Sequence, residues 1–133
     1  MIPAFDAEGF LPPGVHPATL AEIRDRFGGP SEIRRAQMES IVWLLDLAAR
    51  AGVARIVLNG GFVSNIIEPN DVDCVLLVRP GASKDPAAED ELLQGLPFLD
   101  ISLVGQKDFN YFVDRFFAVD RTLRTKGMIE VVP

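Results

Sequence analysis

The chain has 133 residues, of which 48% are hydrophobic and 24% charged, a balance that excludes a disordered polypeptide. Its net charge is −6, and its 13 Lys and Arg residues never cluster in more than pairs, which argues against an extended nucleic-acid track gripped through many phosphates. Apolar runs such as IVWLL and VLLV are far too short to span a bilayer.

This length points to one domain over residues 1–133, able to bury roughly two-thirds of the surface its unfolded chain exposes. The single cysteine, Cys74, excludes an intramolecular disulfide and suits a reducing cytoplasm. The stretch MIPAFDAEGF shows no basic region followed by an apolar one, so no secretory signal is expected.

In chain order, Leu11-Pro12-Pro13-Gly14 reads as proline-restricted extended chain. His16 is expected in a loop, with a capping role ahead of the first helix. That helix starts with Thr19 and Glu22 placed as a capping box, carries Leu20, Ile23 and Phe27 along one side, and stops at Gly28-Gly29. Pro30-Ser31 opens a second helix to about Arg50, with Ile33, Ile41, Leu44, Leu45 and Ala48 at helical spacing and Gly52 as its stop. Trp43 falls off that stripe, as a packing or interface residue.

After Gly52 the pattern turns to strands. VARIVLNG and VDCVLLV are nearly continuous runs of aliphatic residues, with Cys74 buried in the second. A short helix is expected between them, from Phe62 to Ile67. RPGASKDPAAED is a loop, and Asp85-Pro86 leads into a helix through Leu93. PFLDISLVG is a third strand. FNYFVDRFFAVD is an amphipathic helix turning Phe109, Phe112, Val113, Phe116 and Phe117 inward. Met128 to Val132 is expected as an edge strand. This order predicts an α/β (α+β) fold, a small mixed sheet flanked by helices.

Residues two apart on a strand share a face, so a strand starting near Asp71 presents the carboxylates of Asp71 and Asp73 together. Like charges so close repel, and a hard divalent cation such as Mg²⁺ or Mn²⁺ resolves the conflict. Asp100 lies in an otherwise apolar strand, where an ionised carboxylate needs a partner. If that strand neighbours Val72–Val78, Asp100 becomes a third metal ligand. Gly60-Gly61 follows a strand, and its bare backbone amides suit phosphate. The bland alternatives are turn chemistry at Pro69-Asn70-Asp71 and solvent-facing positions for Asp73 and Asp100. Arg121 and Lys126 are candidates to reach phosphates or to remain solvated.

The stretch LNGGFVSNIIEPNDVDCVLLV resembles the nucleotidyltransferase motif of the DNA polymerase β superfamily: Gly-Ser at a helix start, about ten residues, Asp-x-Asp, and a later acidic residue. Gly60 takes the glycine position, Asp71 and Asp73 the paired carboxylates and Asp100 the third. More narrowly, the chain is similar to small bacterial nucleotidyltransferase-like proteins of unassigned function. They share LPPG-H, P-N-D-x-D and DR…KG marks, matched here by Leu11–Gly14, His16, Asp120-Arg121 and Lys126-Gly127. The motif's serine is Gly61 here; Ser64, further along, is the residue that could replace its hydroxyl.

The resemblance implies a cytoplasmic, metal-dependent transfer of NMP from an NTP to an acceptor hydroxyl. Catalysis and metal binding would fall to Asp71, Asp73 and Asp100, and nucleotide binding to Gly60, Gly61 and Ser64. A protein partner or an RNA would supply the acceptor, as in the toxin–antitoxin pairs where related small proteins often act. The alternative is a non-catalytic nucleotide-binding or protein-interaction module that keeps the fold. A metal phosphohydrolase using the same carboxylates is a third reading.

Overall fold

The computed structural model describes residues 1–81, 85–116 and 126–133. Its elements are β1 (Gly14–Ala18), α1 (Leu20–Phe27), α2 (Glu32–Ala51), β2 (Arg55–Asn59), β3 (Val72–Leu77), α3 (Pro86–Gln94), β4 (Leu99–Val104), α4 (Gln106–Tyr111) and β5 (Gly127–Val131). A 3-10 turn spans Gly61–Val63, and α4 runs on into a π turn over Phe112–Phe116. The side chain of Phe116, Phe117 and the Asp120-Arg121 pair lie outside the described residues.

The helices start and stop where local chemistry directs. Thr19 and Glu22 form a complete capping box at α1, each satisfying backbone N–H groups of the first turn. Ser31 caps α2, and the N–H of Gly52 returns to the carbonyls of Ala48 and Ala49 at its far end. Asp85 caps α3, accepting from the N–H groups of Ala87 and Ala88.

The strands lie in the order β1-β5-β2-β3-β4, parallel between β1 and β5 and between β3 and β4, and antiparallel elsewhere. Helix α3 supplies the crossover that a parallel β3–β4 pair requires. This is an α+β fold with a mixed sheet, as its residue pattern predicts. Helices α1, α2 and α3 cover one face, where Ile23, Phe27, Ile41, Leu44 and Leu47 pack on Leu58, Cys74, Leu76 and Ile129. On the other face Phe109 of α4 packs with Val57, Val75, Leu77 and Met128. Among the described residues, no helix is long and apolar enough to cross a membrane.

Four local expectations are corrected. The stretch GVHPA is a strand, so His16 caps nothing. Its Nε2 instead donates to the Pro12 carbonyl at 2.7 Å, since a carbonyl oxygen can only accept. β5 is not an edge, because β1 covers its outer side. The helix expected over Phe62–Ile67 is a single 3-10 turn, for a reason given below. Ile33 is only half-buried; the buried stripe of α2 continues toward its start through Gln37 and Arg34. Trp43 is 48% exposed.

Candidate functional site

β2 ends at Asn59 and the chain turns at Gly60, where φ is 90° and ψ is −166°. A side chain there would be strained by the backbone and would also collide. Its Cβ would stand 2.9 Å from Oδ2 of Asp73. The glycine therefore lets the backbone lie directly against that carboxylate. The N–H groups of Gly61 and Phe62 have no acceptor among the described residues.

What shapes the loop from Gly61 to Asn70 is the start of α2. The guanidinium of Arg34, 3% exposed, donates to the carbonyls of Phe27, Gly61, Phe62, Ser64 and Ile66 at 2.7–3.2 Å. With these carbonyls drawn together on Arg34, the turn stops after three residues. Ser31 Oγ donates to Ile67 O at 2.9 Å, and Gln37 Nε2 to Pro69 O at 2.7 Å. Three polar residues on the first turns of α2 thus fix the segment that separates the glycines from Asp71.

The sheet then sets the carboxylates. Asn59 is opposite Asp73 across the antiparallel pair, and Asp73 is opposite Asp100 across the parallel one. All three lie on the face that α4 covers at its other end, by the alternation of side chains along a strand. Asp73 is half-buried, whereas Asp71, one residue before β3, and Asp100 are exposed. Burial pushes the Asp73 carboxyl above the ordinary carboxylate range; Asp100 pushes it further, Lys126 pulls it back, and Asp71 adds a smaller upward push. Lys126 reaches the site from just ahead of β5, its Nζ donating to Oδ1 of the buried Asn59 at 3.0 Å.

The sequence-predicted residues are thus placed unequally. Asp73, Asp100 and Gly60 meet, and Asp71 lies near them. Among the described residues, no three His, Cys, Asp or Glu side chains are gathered tightly enough to cage a metal. The donor set still suits Mg²⁺, which is held by one or two carboxylates completed by water and substrate phosphate rather than by a protein cage. Ser64 is buried and turned inward: its Oγ donates to Gly61 O at 2.7 Å and accepts from the N–H of Ile66. Arg34, Gln37 and Asn59 carry structural weight that the sequence reading did not assign. For the first two a signal exists, since they continue the spacing of Ile41, Leu44 and Ala48.

The outer sequence marks also meet. Gly127 N–H donates to Leu11 O at 3.0 Å, and a Cβ at Gly127 would collide with the Pro12 carbonyl oxygen and lie 3.0 Å from His16 Nε2. The LPPG-H stretch and Lys126-Gly127 are therefore two sides of one contact, and Gly127 is required by its closeness.

Fold and site together define an α+β protein with a row of polar and acidic side chains across one end of a mixed sheet. The chain belongs to the "Family of unknown function (DUF6932)", which matches residues 3–132. No curated protein and no solved structure matches it.

Proposed function

We propose that the chain is a metal-dependent nucleotidyltransferase, moving NMP from an NTP to an acceptor hydroxyl with release of pyrophosphate. The observation that carries this reading is the in-register pairing of Asp73 with Asp100 beside the Gly60-Gly61 turn. The motif resemblance of the same residues supports it. Asp73 and Asp100, with Asp71 near them, would hold Mg²⁺ or Mn²⁺, which supplies charge for the triphosphate and acidity for the attacking hydroxyl. The unclaimed N–H groups of Gly61 and Phe62 would receive phosphate oxygens. Gly60 keeps the Asp73 carboxylate against the turn, so phosphate donors and acidic side chains stay in fixed relation.

The acceptor in this reading belongs to a protein partner or an RNA in the cytoplasm, with the chain as one half of a toxin–antitoxin pair. The resemblance supports that pairing, and the net charge of −6 favours contact at few phosphates. A non-catalytic nucleotide-binding module is favoured by one observation: with Gly61 lacking a hydroxyl and Ser64 turned inward, neither supplies the motif's serine contact.

The test is transfer of label from α-labelled NTPs in Mg²⁺ or Mn²⁺ to candidate protein and RNA acceptors. Transfer that disappears in Asp73→Asn and Asp100→Asn supports the enzyme. Mg–ATP binding by calorimetry without transfer supports the module. Absence of both rules out the nucleotide reading altogether.

A further inference from the structure

Lys126, Asn59, Asp73 and Asp100 come from positions ahead of β5, on β2, on β3 and on β4, and they follow one another across the sheet. Read in that order they are a cation, an amide and two acids, so the site changes sign over roughly 10 Å, two strand spacings. The cation is held at both ends. Asn59, 3% exposed, accepts from its ammonium, and Gly127, the next residue, is pinned to Leu11 by a hydrogen bond in a space no side chain fits. A lysine that donates to a buried amide keeps its charge at a fixed place beside the carboxylates. The Gly60-Gly61 turn lies on the same side of the row, directly after Asn59.

We propose that Lys126 is the phosphate-binding cation of this site, positioned by Asn59. Together they set the direction of a bound metal–nucleotide: phosphates lie over Lys126 and the glycine turn, and the divalent cation over Asp73 and Asp100. This inference rests on the nucleotidyltransferase reading and adds an orientation to it. Lys126 contacts the substrate; Asn59 acts through Lys126 as a positioning residue.

The arrangement gives Lys126 opposite effects on the two halves of the ligand. Beside Asp73 its charge competes with a metal ion, whereas toward phosphate it attracts. Calorimetry on Lys126→Met and Lys126→Gln, with Mn²⁺ alone and then with Mg–ATP and Mg–AMP, separates these effects. Both variants are expected to bind Mn²⁺ alone more tightly than the wild type. Mg–ATP should bind about tenfold more weakly, and its advantage over Mg–AMP should shrink. Asn59→Ala should reduce the same advantage, in the same direction as the lysine variants. Mg–ATP binding at wild-type strength in both lysine variants overturns the inference and leaves the nucleotidyltransferase reading standing. Weaker binding of Mn²⁺ and Mg–ATP together also overturns it, because loss of structure weakens both. A wild-type protein that binds neither Mn²⁺ nor Mg–ATP overturns the reading and the inference together.

Discussion

Asp73 and Asp100 stand opposite each other across the parallel β3–β4 pair, two carboxylates on one face of the sheet, with Lys126 opposing their repulsion at Asp73. Burial first, and then the neighbouring Asp100, make the folded chain hold the Asp73 proton more tightly than the unfolded chain, whose carboxyl titrates near 3.8. Stability linked to this group is fully present below that value and is lost as pH rises through the folded pKa. Asp73→Asn removes the loss. The variant is expected to be more stable than the wild type at pH 7 and equal to it near pH 3.5, measured by urea denaturation at both pH values. Equal stability at pH 7 would refute the strain assigned to this half-buried carboxylate.

Gly60→Ala tests the closeness of the turn to Asp73. Ala must adopt φ near 90° and place its Cβ against Oδ2 of the carboxylate. We expect a loss of about 2 kcal/mol in denaturant unfolding. Gly29→Ala is the control, because a Cβ at that exposed glycine meets nothing within 4 Å. It should stay within about 0.5 kcal/mol of the wild type.

Arg34→Met keeps an unbranched stem, shorter than arginine, and takes the guanidinium away from five carbonyls. A loss of about 3 kcal/mol is expected, the usual size when one partner of a buried charged network is removed. The diagnostic is location. Hydrogen exchange should accelerate first in the Gly61–Asn70 loop, while the ladder of β1 with β5 stays protected.

Gly61→Ser restores the hydroxyl of the motif that this stretch resembles. Its Cβ would lie 3.2 Å from Ile66 Cδ1 and from Pro69 Cβ, close enough that both must yield slightly. Ile66 is 47% exposed and can move, whereas Pro69 is buried and yields less, so a cost of about 1 kcal/mol is expected. Mg–ATP affinity should rise by about several-fold, the worth of one added hydrogen bond. No rise would show that the hydroxyl has no place in this turn.

Much of this was legible in the residues because it rests on local rules. Capping chemistry marked α1, α2 and α3, and period-two alternation put Asp73 on one face, with its pairing to Asp100 conditional on β3 and β4 being neighbours. What escaped depends on contacts between distant segments. GVHPA has five residues and a proline, and it becomes a strand only because β5 offers it a partner; Pro17 is tolerable there because β1 is the edge. Lys126 and Asn59 are 67 residues apart, and nothing in either neighbourhood announces the pair. Arg34 shares the spacing of the buried stripe of α2, but the carbonyls that receive its guanidinium come from segments up to 32 residues away.

The position of β5 makes the sheet's assembly order unusual. It pairs with β1 on one side and β2 on the other, and β1 pairs with nothing else among the described residues. A ribosome releasing this chain has already delivered the other four strands when this inner strand emerges. Until Gly127–Val131 is free to insert, the first strand has no seat and Lys126 has no address. Contacts of such separation are slow to form. A cut before Gly127 would thus remove a keystone from between β1 and β2, and the sequence at its opposite end would come loose with it.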